Sequence, residues 1–273
     1  GTFETGLFFL DWLHKTHQSA WQMLPLHQTQ LEKGSKTVHV PSPYKGYGIG
    51  LDPRYLSQKT ESRKQRAENT EQEAGRIEIF ISENNEWIED YVLFCALRDR
   101  FGTDDWREWP VGLRLCKKEE IEKFSKKLQK EIDYHLKIQY QLHKQYDELR
   151  GKAGKLGISL IGDLPFYLSI NSPLVWAHQD VFQLETGGKM RYVSGIPDTP
   201  AAHFGRQVWG HPIYRWGDKV QNIRVINLWK IRLKYLASLF DSVRFDHAKG
   251  LFEYGVINPK HETVDKYVKG PGN

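Results

Sequence analysis

Apolar positions along the chain alternate between helical stripes and short unbroken runs. Leu7, Leu10 and Leu13 recur at helical spacing and lead into the run at residues 19–26 (SAWQMLPL). Phe124, Leu128, Ile132 and Leu136 recur every four residues, continue through Tyr140 and Tyr146 as one long helix, and lead into 157–164 (GISLIGDL). A third stripe, Ile223, Leu228, Ile231, Tyr235, Leu236 and Leu239, precedes 241–246 (DSVRFD). A stripe of period 3.6 reads as an amphipathic helix, and a short apolar run bounded by turn residues reads as a buried strand. Helix then buried strand, repeated, predicts a parallel α/β sheet or barrel.

More than a hundred residues lie between the first two runs, far more than one crossover helix requires, so part of that span is an inserted subdomain. It is expected to be helical: residues 85–101 place Trp87, Tyr91, Phe94 and then Leu97 or Arg98 on successive turns, whereas 57–74 (SQKTESRKQRAENTEQEA) reads as a polar surface helix or loop. The expected division places the first helix, run and following loop at 1–56, an inserted helical subdomain leading into a long helix at 57–150, and the second and third runs with their loops at 151–273. Residues 165–216 are rich in Pro, Gly and Trp with little periodicity, and a loop that long in a compact domain is usually functional.

Composition narrows the picture in three ways. The formal charge of +5 and pI near 9.0 invite nucleic acid as a partner, but the basic residues of 117–155 alternate with acids such as Glu119, Glu120, Glu131 and Asp147. That is the pattern of a solvated helix face, so nucleic acid is not expected. No apolar run is long enough for a membrane span, and residues 1–13 lack the order of a secretory signal, so a cytoplasmic protein with no membrane partner is expected. Cys95 and Cys116, in helix-like surroundings, read as buried reduced thiols, with no second pair to build a metal cluster. Aromatic residues make 13% of the chain, several beside Gly, Pro and Asp; flat rings near hydrogen-bonding groups suit sugars, although most rings in any domain are core.

Candidate chemistry gathers where the runs end. In a β/α barrel, function sits at the C-terminal ends of the strands, and Asp163 and Asp246 close the second and third runs. Side chains alternate along a strand, so Arg244 and Asp246 share a face while Val243 and Phe245 point to the helices. A guanidinium that close favours the ionised carboxylate a nucleophile requires; an Arg-Asp pair that only fixes a barrel rim fits the spacing equally.

At this point the blocks WQMLPL, SPY, WIEDYVLF, IGDLPFYL, VWAHQDVFQL, VWGHPIYRW, VRFDHAKGLFEY and VKGPG, in that order from Trp21 to Gly272, resemble the amylomaltase (4-α-glucanotransferase) family. The resemblance implies a (β/α)8 barrel with an inserted helical subdomain, acting on α-1,4-glucan or maltooligosaccharide with retention. In such a mechanism one carboxylate attacks the anomeric carbon and a second, about 5 to 5.5 Å away, protonates the leaving oxygen. By motif, Asp246 takes the nucleophile's place, Arg244 orients it, His247 hydrogen-bonds the sugar, and Asp163 supports the same pocket. Tyr44 of SPY and Trp209 of VWG resemble substrate-contacting aromatics, with loop packing the alternative for Trp209 and for Trp176, and a structural role the alternative for His247. No metal or organic cofactor is implied, and the oligomeric state is left open.

The chain also departs from the family. The resemblance places the acid/base Glu and a further Asp beyond Asn273 and the first barrel strand before Gly1, so a sequence cut at both ends, carrying part of the barrel and inactive alone, is expected. His211 stands where Asn is usual, Lys249 where Arg is, Gly255 where Trp is common and Leu174 where Asp is, and 196–207 (IPDTPAAHFGRQ) rewrites a loop. Two alternatives stay open beside a glucanotransferase: a non-catalytic glucan-binding homologue and a related α-glucan hydrolase.

Overall fold

A computed structural model describes residues 1–57, 70–198, 205–260 and 265–272. Within them the architecture is mixed α/β, built on a parallel sheet of three strands. Helix α1 (Phe3–Lys15) opens with a capping box: the Thr2 side chain accepts from the Thr5 backbone amide, and the Thr5 hydroxyl answers the Thr2 amide. Such a box satisfies two amides that would otherwise lack partners at the helix start. Strand β1 (Ala20–Gln22) follows, and then the helical span: α2 (Thr70–Glu83), α3 (Ile88–Phe101), α4 (Val111–Arg114), α5 (Lys118–Lys127) and α6 (Gln129–Lys155). Helix α6 ends at Leu156, and Gly157 turns the chain at φ +69° into strand β2 (Ser159–Leu164), the left-handed exit that glycine makes without a Cβ penalty.

After β2 come α7 (Pro173–Ala177), β3 (Val193–Ile196), β4 (Gln207–Val208), α8 (Lys219–Leu239), β5 (Ser242–Phe245), β6 (Glu253–Ile257) and β7 (Lys266–Lys269). Strands β1, β2 and β5 form the parallel sheet in that order. The register sets Asp163 opposite Arg244 and Leu164 opposite Phe245, so the charged ends of β2 and β5 meet. Helix α8 is capped by Asp218, whose side chain accepts from the Gln221 amide at 2.9 Å, and its buried face carries Leu228, Trp229, Arg232, Tyr235 and Leu239 onto the sheet.

Five expectations need correcting. The stripe from Phe124 to Tyr146 is two helices, because Leu128, buried in the core, leaves helical geometry (φ −107°, ψ 24°). The first apolar run pairs over 20–22 alone; beyond Met23 the chain turns away, and Pro25 has no N–H for a ladder. Ile223 lies off the buried face of α8, 48% exposed. Cys95 is buried in α3, but Cys116 sits in a turn at φ +48°, half-buried, its thiol donating to the Trp176 carbonyl at 3.3 Å. The span 165–216 contains β3 and β4, which join β6 and β7 in an antiparallel sheet of order β4-β3-β6-β7. Of the polar stretch 57–74, residues 58–69 lie outside the described residues, as do 199–204 of the rewritten loop.

The interior is continuous across these elements. Phe94 of α3 packs on Trp109 at 5.2 Å, and Trp109 meets Trp176 of α7 edge-on at 5.6 Å. Trp106 and Trp176, both buried, donate their indole N–H groups to the carbonyls of Ile170 and Leu113. Rings of this kind each bury roughly 150–250 Å², worth on the order of 4 kcal/mol of transfer free energy. Much of the aromatic enrichment is therefore core, and Trp176 is a packing residue.

Candidate active site

The site begins with the register of β2 and β5. Asp163 is 1% exposed, and its two oxygens are taken by Arg244 Nη1 at 2.7 Å and by the Tyr44 hydroxyl, which donates at 2.7 Å. Two residues beyond Arg244 on the same face, Asp246 accepts from Arg244 Nη2 at 2.6 Å through Oδ1. One guanidinium thus bridges two carboxylates from adjacent strands, and its pKa is pushed above the ordinary arginine value, first by its bond to Asp163 and then by Asp246. Among the described residues the second Asp246 oxygen has no protein donor.

Tyr44 reaches Asp163 because its loop is pinned. The Lys45 amide donates to the Ser42 carbonyl at 3.1 Å across a turn with Pro43 in its second position, and His27 Nε2 meets the Pro43 carbonyl at 2.9 Å. Proline pre-sets the φ that this turn position requires. The Tyr44 hydroxyl is pushed above its usual pKa by burial first and by Asp163 next, so it stays a donor.

Beyond Asp246 the chain bends sharply: His247 adopts left-handed φ +52°, ψ +40°. For a residue with a Cβ that conformation costs on the order of 1 kcal/mol and is held only where the surroundings fix it. The ring consequently faces Trp209 edge-on at 5.1 Å, with Phe166 at 5.8 Å and Tyr167 at 5.9 Å. Burial lowers the His247 pKa against the opposing pull of Asp246. Across the cleft, His211 lies parallel to Tyr167 at 5.9 Å, with Nδ1 at 3.1 Å from the Leu168 carbonyl; burial outweighs that bond and lowers its pKa to about 4. These groups line a cleft of about 520 Å³ open to Asp246, Tyr44 and Trp209, within the size range of small-molecule sites.

Among the described residues, two polar atoms in the walls are buried without a partner: His247 Nε2 and the Tyr167 hydroxyl. Each such atom costs about 1–3 kcal/mol unless something bonds to it, so both are suited to a hydroxylated ligand. Among the described residues no group of three or more His, Cys, Asp or Glu is placed to hold a metal ion, and no helix is long and apolar enough to cross a membrane.

A family model described as 4-alpha-glucanotransferase matches residues 51–273. The chain belongs to that family. It is 30% identical to the 4-alpha-glucanotransferase of Aquifex aeolicus over 97% of this chain and 59% of the relative. It is 31% identical to that of Clostridium butyricum over 99% of this chain and 62% of the relative. The amylomaltase of Streptococcus agalactiae, solved in complex with acarbose, superposes with a TM-score of 0.84 at 25% identity, over all of this chain and 61% of that one. The chain therefore spans about three-fifths of the length of the glucanotransferases it matches.

All six residues singled out from the sequence, Tyr44, Asp163, Trp209, Arg244, Asp246 and His247, come together around one cleft. Asp163 lies beneath it, reached through Tyr44 and Arg244. Residues not singled out as site residues also line it: Phe166, Tyr167 and His211. The first two sit inside the family block IGDLPFYL, and His211 was visible as a departure within VWGHPIYRW. Lys249, another departure, pairs with Glu253 at 3.4 Å and lies over the Tyr267 ring at 5.0 Å; it is not among the cleft-lining residues. Gly255 is explained by packing, since a Cβ there would stand 2.0 Å from the Gly195 carbonyl oxygen. Leu174 is buried in α7, where an unpaired carboxylate would be costly.

Proposed function

We propose that this chain carries the nucleophile side of the active site of a 4-α-glucanotransferase that moves α-1,4-glucan segments between maltooligosaccharides by double displacement. The observation that carries the reading is the Arg244 bridge: it fixes Asp246 at the mouth of an aromatic-lined cleft while Asp163 and Tyr44 hold the other side of the guanidinium. Asp246 attacks the anomeric carbon as the glycosidic C–O bond breaks, giving a glycosyl ester with inverted configuration. The hydroxyl of an acceptor glucan then displaces Asp246, and the second inversion restores the first configuration. Both Asp163 oxygens are engaged, so the carboxylic acid that protonates the leaving oxygen comes from elsewhere in the natural protein.

His247, with a neutral ring at neutral pH and a free Nε2, hydrogen-bonds the sugar held against Asp246, and Trp209 and Tyr44 offer ring faces to neighbouring glucose units. The parallel strands β1, β2 and β5 are part of a β/α barrel of the amylomaltase type. The division at 1–56, 57–150 and 151–273 separates barrel start, helical insertion and nucleophile segment.

The test is to incubate the natural protein that carries this chain with maltotriose and separate the products. Glucan transfer yields glucose together with longer maltooligosaccharides, and Asp246→Asn lowers the rate by about 10⁴-fold or more, the scale on which loss of a covalent nucleophile acts. Glucose and maltose without longer products would make the protein a hydrolase. Binding without turnover would make it a glucan-binding homologue.

A further inference from the structure

Arg232 of α8 is fully buried and, among the described residues, forms no ion pair with a carboxylate. An unpaired buried cation is expensive; among the described residues Nε has no partner, and both terminal nitrogens are held by an unusual set of acceptors. Nη2 donates to the Pro165 carbonyl, Nη1 donates to the Phe166 carbonyl at 3.2 Å and to the Tyr214 hydroxyl at 2.8 Å, and the guanidinium lies 4.6 Å over the Trp229 ring. Tyr214 in turn donates to the same Phe166 carbonyl at 2.8 Å. Pro165 and Phe166 are the residues by which the chain leaves β2, directly after Asp163 and Leu164, and both line the cleft. The Phe166 ring stands against Phe245 and His247, the neighbours of Asp246. One side chain on the helix that feeds β5 thus clamps the end of β2.

We infer that Arg232 is a positioning residue for the transfer reaction: without touching substrate, it fixes the end of β2 against β5 and so sets the gap that Arg244 spans between Asp163 and Asp246. The inference rests on the reading of Asp246 as nucleophile. A rigid fork is needed because two successive carbonyls and a hydroxyl must be served from one plane, which a lysine ammonium cannot do.

The experiment compares wild type, Arg232→Met and Arg232→Lys in the natural protein, measuring kcat and KM on maltotriose, thermal melting and the crystal structure of each variant. Displacement of the cleft wall by about 1 Å is expected to lower kcat of Arg232→Met by roughly 100-fold with KM changed by a factor of about 2 or less. Arg232→Lys, which restores charge but not the fork, is expected to recover only part of that loss. The Met variant should show Pro165 and Phe166 shifted. A folded Arg232→Met with kcat at the wild-type level, or with Pro165 and Phe166 unmoved, overturns the inference and leaves Arg232 a packing residue. If Arg232→Met does not fold, Tyr214→Phe decides instead: a fall in kcat of several-fold at constant KM supports the clamp, and unchanged kinetics overturn it. A wild-type protein with no action on maltotriose defeats the reading of Asp246, and the position of Pro165 and Phe166 in the variant structure still decides whether Arg232 holds them.

Discussion

Asp163→Asn separates a working bridge from a decorative one. Asp163 presents two acceptor oxygens to two donors, Arg244 and Tyr44, each at 2.7 Å. Asparagine keeps the shape but replaces one acceptor with an NH2 group, which must then face either the guanidinium or the Tyr44 hydroxyl. A hydrogen bond to a charged group is worth about 1.5–3 kcal/mol, and one such bond becomes an opposition of donors. Because the Arg244 side chain is 43% exposed, water compensates part of the loss, and the expected destabilisation is about 2 kcal/mol. Catalysis should suffer more than stability: with only Asp246 left as a partner, the guanidinium no longer defines where Asp246, the proposed nucleophile, points, and a misplacement of about 1 Å costs roughly 100-fold in kcat. Urea unfolding followed by tryptophan fluorescence gives the first quantity, and maltotriose disproportionation by the natural protein gives the second. An Asn variant with wild-type stability and wild-type kcat would refute the view that the Asp163–Arg244–Asp246 chain organises the site.

Two further predictions use the same cleft and its supporting sheet. His211 holds a neutral ring in the folded state down to about pH 4, against 6.5 when free; below pH 6.5 the unfolded chain takes up a proton that the folded chain refuses, so stability falls as pH falls between those values. By that linkage His211 alone removes about 2 kcal/mol between pH 7 and pH 5, and melting of His211→Asn should show a correspondingly shallower acid slope; an unchanged slope would contradict it. Gly255→Ala should destabilise by about 1–3 kcal/mol, the usual cost of overpacking, because the new methyl would meet the Gly195 carbonyl oxygen at 2.0 Å; chemical denaturation showing a neutral or stabilising change would refute it.

How much of the molecule was legible in the sequence depended on whether a signal was local. The parallel sheet was legible because each of its strands is an apolar run behind a helical stripe, and the shared face of Arg244 and Asp246 follows from alternation alone. The antiparallel sheet was not. Strand β3 carries Ser194 and Gly195, β6 carries Gly255, and β4 has two residues, so no period-2 pattern of apolar residues marks them, and their pairing is settled by partners far away in the chain. The break at Leu128 was hidden because the four-residue repeat runs straight through it; only the backbone angles at Leu128 reveal the turn.

The site divides along the same line. Sequence identified Asp163, Arg244, Asp246 and His247 as residue types in a motif, but the Tyr44 to Asp163 hydrogen bond spans 119 positions and follows from no local rule. The orphaned atoms of Tyr167 and His247 exist only once the cleft walls have closed around them. Arg232 is the instructive case between these extremes. The buried face of α8 reads Leu228, Arg232, Tyr235, Leu239, so a charged residue stands in the middle of an apolar stripe, in full view of the sequence. On an exposed helix such an interruption is an error in the pattern; on a helix that must cover a sheet it demands buried acceptors. The acceptors that meet it belong to the end of β2, beside the strand that leads to Asp246. If Arg232 acts as we propose, a charge out of place in a helical stripe, next to a strand that ends in VRFDH, is a signal for a positioning residue that the amino-acid sequence alone can carry.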